Sequence, residues 1–446
     1  MTTNRHEDPH AHPVRPDDTY LRSVSEATER AIATAEPIAS DFDGASDGIR
    51  REVEGWLNGH TDDLVGLSRD LHAHPEEGFE EHRSIGQVAE VLRRHGFEAE
   101  VGIGGLETAL RASAGDGHPH VAILAEYDAL PGVGHGCGHN IICSSGVGGF
   151  LGVAVAVAAS GGRVSLIGTP AEEGGGGKEL LARQGIFDDV DAVVMLHPFS
   201  HDVAVHSFLG RRQLEVIFHG IAAHASAQPF MGRNALDAVV ATYQGVAALR
   251  QHMPSTDRIH GIITDGGKRP NIVPDRAAAL FYVRSAEPGS LRDLTRRVEA
   301  IARGAAEMTG CGVELRWDAH PAYLPIRHNE TLVARWAQHQ ARRGRRSLPR
   351  GVIPEHLAAS TDLGNLSYRL PAIHPMIGLD GDNLSLHTEE FAAVAGSETG
   401  DKAVLDGAVG LALTALDYLA DAGLREAVHD EFERAGGAMD VAGFFD

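Results

Sequence analysis

The chain has 446 residues, enough for two or three domains with a large core. It carries 62 Asp and Glu against 39 Lys and Arg, and the net charge of −23 speaks against nucleic acid or an anionic membrane as partner. The three cysteines, Cys137, Cys143 and Cys311, form no disulfide framework, and residues 1–20 are polar with no charged-then-apolar leader. A reducing cytoplasm is the expected setting.

Residues 1–45 read as a weakly ordered tail holding a short Ala/Glu-rich helix. Trp56, Leu64, Leu67 and Leu71 recur at helical spacing and predict helices across 47–96. Strands and helices then alternate: AILAEYDA as a strand, 141–160 as a helix, RVSLIGTPA as a strand, GGKELLARQG as a helix and DAVVMLHP as a strand. Short Val- and Ile-rich runs separated by helices predict a mainly parallel sheet covered on both faces. Ile141–Gly162 is uncharged and long enough to span a bilayer, but it holds six glycines and a predicted strand follows at once. A helix buried between layers is the better reading.

The pattern changes near residue 207. RQLEVIFHG, a helix through NALDAVVATYQGVAALRQ, strands at HGIITDGG and AAALFYVRS, a helix over 289–308 and VELRWDA make a β-α-β-β-α-β unit. That order predicts a ferredoxin-like α+β module. The α/β character then returns and ends in a long Ala/Leu-rich helix at 401–421. The expected organisation is an α/β domain built from 46–206 and 323–446, the latter including a C-terminal tail, with 207–322 inserted.

Three predicted strands end in metal-binding residue types: HGCGH follows the first, Glu172-Glu173 the second, and the third contains His197. His387 in SLHTEEF lies far downstream in the same domain. Thiolate, imidazole and carboxylate together suit zinc or a similar first-row ion, whereas calcium and magnesium take oxygen. Ligands of such sheets gather beyond the carboxyl ends of the strands, where these residues fall. Two adjacent carboxylates invite a division of labour, one on metal and one on protons.

EYDALPGVGHGCGHN, GTPAEEGGGG, MLHP, HGIAAHAS, PNIVPD, STDLGNLS and LHTEEF, in this order, resemble the amidohydrolase branch of the metallo-aminoacylase and carboxypeptidase-G family. Auxin-conjugate hydrolases, aminobenzoyl-glutamate hydrolases and related dipeptidases are members, and the resemblance runs from about residue 50 to 421. It implies a catalytic domain with two divalent ions per subunit, zinc or manganese, and an inserted lid and dimerisation domain. It implies Cys137, His139, Glu173, His197 and His387 as metal ligands, with the Cys137 thiolate bridging the ions, and Glu172 as catalytic base. His224 matches the histidine that polarises the scissile carbonyl, reaching across a homodimer from the partner subunit. Asn271 and Arg284 match positions that hold the substrate's carboxylate. The segment LEVIFHG, ending near His224, is expected as an uncovered edge strand for the pairing.

Two positions depart from the pattern. Glu126 stands where many relatives outside the branch carry a metal-binding His, and Asn140 where many branch members carry Asp. The implied activity is hydrolysis of the amide of an N-acyl amino acid or dipeptide-like substrate with a free carboxylate. A phosphate loop at AEEGGGGKEL is excluded because Glu172 and Glu179 occupy its required Gly and Ser/Thr positions. CSSGVGG lacks the G-x-S-x-G elbow of a serine hydrolase. The alternative is a non-catalytic metal-binding or regulatory relative, against which the retained Glu172 argues.

Overall fold

The computed structural model describes residues 13–354, 358–380 and 384–445; residues 1–12 of the polar N-terminal segment lie outside it. Its strands are β1 (Glu100–Val101), β2 (Leu110–Gly115), β3 (His120–Ala125), β4 (Arg163–Gly168), β5 (Ala192–Val194), β6 (His197–Phe199), β7 (Gly210–His219), β8 (Arg258–Asp265), β9 (Arg276–Ser285), β10 (Gly312–Trp317), β11 (Ala372–Ile373) and β12 (Met376–Gly378).

The first sheet has the order β1-β2-β4-β3-β5-β11. Its inner part, β4-β3-β5-β11, is parallel, and β2 and β1 complete one side antiparallel. Every residue of β3 is buried, as a parallel strand covered on both faces requires. β6 and β12 pair in parallel just beyond β5 and β11. This is the predicted α/β fold with a mainly parallel sheet.

Between sheet and helices lies the glycine-rich helix His139–Ala154, buried over nearly its whole length. Its glycines allow close approach: a Cβ on Gly146 would sit 2.5 Å from the Leu124 carbonyl oxygen, and one on Gly148 2.7 Å from Ala408 Cβ. Ala408 belongs to Glu398–Ala420, the one helix among the described residues long and apolar enough to cross a membrane, and 89% of its apolar window is buried inside the protein. Apolar composition here serves the core. The helices Asp47–Gly59, Thr61–Ala73 and His82–Arg94 line the same core through Leu57, Leu64, Leu67 and Val88. The N-terminal segment forms the helix Thr19–Thr34, and its end is tied in where the Ala45 N–H donates to Asp417 at 2.8 Å.

The second sheet has the order β10-β7-β9-β8, antiparallel throughout. It has its own core, where Leu214, Val216, Phe218, Phe281 and Val283 meet the helices Ala235–Leu249 and Pro288–Thr309. Burial alternates along most of β7, as expected of an antiparallel strand with helices on one face only. One expectation is corrected here. LEVIFHG lies in β7, which is interior, hydrogen-bonded to β10 on one side and β9 on the other. The edges are β10 and β8, and β8 exposes Ile262 and Ile263. Period-two alternation specifies which face of a strand is buried and carries no information about its neighbours.

Candidate metal centre

Loops from the carboxyl ends of neighbouring strands converge. β3 runs on into Glu126, Tyr127 and Asp128, all buried, and then through Gly136-Cys137-Gly138 into the helix beginning at His139. Gly138 takes φ +72° and a Cβ there would lie 2.9 Å from Pro198 Cγ, so both conformation and space demand glycine. Beyond β4, Ala171 adopts φ +56°, rare for a residue with a side chain, just before Glu172-Glu173. Glu81 holds that turn, accepting the Ala171 N–H at 2.8 Å and the Thr108 hydroxyl at 2.7 Å. His197 opens β6. His387 is anchored by its N–H to the Gly136 carbonyl at 2.9 Å.

His139 is the hub. Its Nδ1 meets Asp128 Oδ1 at 3.0 Å, which orients the ring and leaves Nε2 facing inward. Around Nε2 stand Glu126 Oε2 at 3.6 Å, Glu172 Oε2 at 3.9 Å and Glu173 Oε1 at 3.9 Å. The second Asp128 oxygen accepts the Glu173 N–H at 2.9 Å, so one carboxylate positions both residues. His197 directs Nδ1 to the Pro198 carbonyl at 2.6 Å, leaving Nε2 available. His387 Nε2 lies 3.7 Å from Glu173 Oε2. The ligand atoms of Cys137, His139 and His197 lie within 4.8 Å of one another, as do those of Cys137, Glu173 and His387.

Charge is unbalanced at this point. Burial, then Glu126, Glu173 and Asp362, raise the Glu172 pKa well above the carboxylate range. Burial and the adjacent Glu173 push the Cys137 thiol up. Burial opposes charge on His139, but Asp128 and the surrounding carboxylates outweigh it and raise its pKa. His197 is brought down to about 3 by burial and the neighbouring His139. Glu126 Oε2, His139 Nε2 and Glu173 Oε1 are buried without a hydrogen-bond partner, a costly state for polar atoms. A divalent cation would satisfy such atoms and reverse the upward push on thiol and carboxylates. The donor set of thiolate, imidazole and carboxylate suits zinc or a related ion. The residues fit a metal.

All five expected ligands and Glu172 are therefore together. His224 and Asn271 are elsewhere: both are exposed, paired with one another's loop through the Ala225 N–H to the Asn271 carbonyl at 3.0 Å. Arg284 is half-buried and donates to Ser360 Oγ at 3.0 Å. Sequence reasoning missed Lys178. Its ammonium is fully buried between Glu126 and Asp362, and its backbone N–H also donates to Asp362 at 3.0 Å. Glu126 is thus a neighbour of the metal ligands, saturated on one oxygen by lysine and open on the other toward His139.

Such a site on such a sheet defines a metal-dependent hydrolase acting on linear amide bonds. The chain belongs to peptidase family M20/M25/M40, whose sequence pattern matches residues 122–406. It is 36% identical over 399 residues to an Xaa-Arg dipeptidase of Mus musculus, covering 86% of this chain and 92% of that protein. It is 32% identical over 463 aligned positions to a p-aminobenzoyl-glutamate hydrolase polypeptide of Escherichia coli K12, covering 86% of this chain and 95% of that one. Its fold is similar to that of a dinuclear metal-binding M20 peptidase from Bacillus subtilis, with a TM-score of 0.61 at 20% identity, covering 80% of this chain and 99% of that one.

Proposed function

We propose that this enzyme hydrolyses the amide bond of an N-acyl amino acid or dipeptide-like substrate with a free carboxylate. The observation that carries the reading is the shared place of Cys137. It belongs both to the group with His139 and His197 and to the group with Glu173 and His387, with Glu172 beside His139. That sharing suits two divalent ions per subunit, zinc or manganese, held by these five residues. Relatives named an Xaa-Arg dipeptidase and a p-aminobenzoyl-glutamate hydrolase support a substrate of this kind.

Bound there, the ions supply Lewis acidity toward the scissile carbonyl and acidify water. Glu172 accepts a proton from the attacking water on its carboxylate and passes it to the departing nitrogen, as base and then acid. Tyr323 steadies the Glu172 backbone, donating its hydroxyl to the carbonyl at 2.9 Å. Arg284 and Asn271 hold the substrate's carboxylate, and His224 donates to the carbonyl oxygen as negative charge develops there. Because His224 is exposed on its own chain, it serves the site of the partner subunit in a homodimer. The exposed edge β8, with Ile262 and Ile263, is the surface for that pairing. On this reading residues 46–206 and 323–446 form the catalytic domain and 207–322 the lid and dimerisation domain, in a cytoplasmic enzyme whose three cysteines are all free.

The test is elemental analysis of the purified protein together with turnover of a panel of N-acetyl amino acids and dipeptides, products identified by mass spectrometry. Two ions per chain with cleavage of the panel supports the reading. Full metal content with no cleavage favours the non-catalytic relative.

A further inference from the structure

β7 and β9 pair so that Arg211 stands directly opposite Arg284. Residues directly opposite in an antiparallel ladder project from the same face, about 5 Å apart at Cβ, and like charges there repel. Burial and the neighbouring Arg211 both draw the Arg284 pKa below its ordinary value. An acid should stand between two such groups. Among the described residues none forms an ion pair with either guanidinium, and the Nε atoms of both are buried without a partner. What they do touch is neutral. Arg284 donates to Ser360, and Arg211 lies over the Tyr323 ring at 4.2 Å and the Tyr282 ring at 5.2 Å. Arg258 lies opposite Arg284 on the other side, but its guanidinium is engaged by the carbonyls of Ser255 and Asp257.

The pair adjoins the chemistry. A Cβ on Gly174, next to Glu172-Glu173, would come 4.0 Å from Arg211 Nη1. Tyr323, under the Arg211 guanidinium, is the residue that holds the Glu172 carbonyl.

We propose that Arg211 and Arg284 form a two-guanidinium subsite for a departing amino acid with two carboxylates, the N-acyl derivative of glutamate or aspartate. The proposal rests on the amide-hydrolase reading and on the role of Arg284 within it. Arg284 takes the α-carboxylate and Arg211 the side-chain carboxylate. One α-carboxylate neutralises one guanidinium and leaves its neighbour half-buried and unpaired; a second carboxylate removes that imbalance. Planar guanidinium against carboxylate gives paired, charge-assisted hydrogen bonds. A lysine or arginine side chain on the substrate would add a third cation and is disfavoured.

The experiment compares kcat/KM of the metal-loaded enzyme for N-acetyl-glutamate, N-acetyl-glutamine and N-acetyl-lysine. Glutamate and glutamine have the same shape, so their ratio reads the charge alone. A preference for glutamate of about ten- to a hundredfold is expected from one hydrogen bond to a charged group. Arg211→Met should bring the ratio to within about twofold, mostly through KM, and Arg211→Lys should restore part of it. Thermal melting of both variants checks the fold. A wild-type preference for glutamine or lysine overturns the proposal. Equal losses on glutamate and glutamine in Arg211→Met overturn it too, since Arg211 would then serve a group common to both. Calorimetric binding of free glutamate against glutamine to the metal-loaded wild type separates the two readings. If no amide is cleaved, the hydrolase reading falls, and equal affinity for the two amino acids would remove the dicarboxylate subsite independently.

Discussion

The ammonium of Lys178 is fully buried against the carboxylate of Glu126, in the position where many relatives outside this branch place a metal-binding histidine. Asp362 closes the other side, and Glu126, Glu172 and Asp362 bring their oxygens within 4.8 Å of one another. Three carboxylates that close would otherwise collect a cation, and the lysine supplies one permanently. Lys178→Met should therefore strand Glu126 and Asp362 in the interior. Removing one partner of a buried ion pair costs about 3–5 kcal/mol. Chemical denaturation of the metal-free protein would read the loss. The combined variant Lys178→Met, Glu126→Gln and Asp362→Asn should recover most of it, and failure to recover would mean that packing of the lysine chain, not charge, is what matters.

Glu172→Gln should keep metal and fold while turnover falls by about 10²–10⁴-fold, the usual worth of a positioned proton carrier. Glu172 and Glu173 are adjacent, but only Glu173 joins the group with Cys137 and His387. Elemental analysis alongside steady-state rates checks the assignment; loss of metal with activity retained would mean that the two glutamates have exchanged roles.

Cys137→Ala should lose metal and activity together, because Cys137 is common to both ligand groups. Cys143, though close in sequence, is buried in the helix that follows, and burial pushes its thiol well up, so it offers no substitute. Full metal occupancy in the variant would remove Cys137 from the ligand set.

Much of this site was legible because each ligand follows a Val- and Ile-rich run, and a parallel sheet gathers the ends of such runs on one side. Cys137, Glu173 and His197 could be placed from three short stretches. Lys178 could not. It lies in the glycine-rich stretch AEEGGGGKEL, and its second partner, Asp362, is 184 residues away, a contact that no local pattern encodes. The Arg211–Arg284 pairing was hidden for a related reason. It depends on the register between β7 and β9, which is set by two helices and a whole intervening strand. The same limit misplaced the sheet edge: alternation in LEVIFHG identified the buried face, but the neighbours of β7 come from β9 and β10, far along the chain.

Acid should destabilise the protein beginning well above the carboxylate range. His328 is buried, its Nε2 directed to the His206 carbonyl at 2.9 Å, and burial brings its pKa to about 3. In the unfolded chain an imidazole titrates near ~6.5. Between these values the unfolded state binds a proton that the folded state does not, so stability rises with pH across that window and falls on acidification. The slope is about 1.4 kcal/mol per pH unit for one such histidine. His328→Gln should reduce the slope of denaturation free energy between pH 6 and 4 by about that amount; an unchanged slope would show that His328 accepts a proton in place.

The last prediction concerns His224, exposed and apart from the ligand cluster within its own chain. If it completes the partner's site, activity belongs to the dimer, and two inactive variants should repair one another. Glu172→Gln and His224→Ala are each expected to be nearly inactive alone. After subunit exchange, one site of a mixed dimer combines the intact Glu172 of one chain with the intact His224 of the other. The second site combines both defects and stays silent. Random exchange of equal amounts places about half the chains in mixed dimers with one working site each, so recovery toward about a quarter of wild-type activity is expected on statistical grounds. Exchange is verified by native mass spectrometry with one variant isotopically labelled. A verified mixture that stays inactive would place His224 in the site of its own chain, brought there by closure of 207–322 over the metal centre.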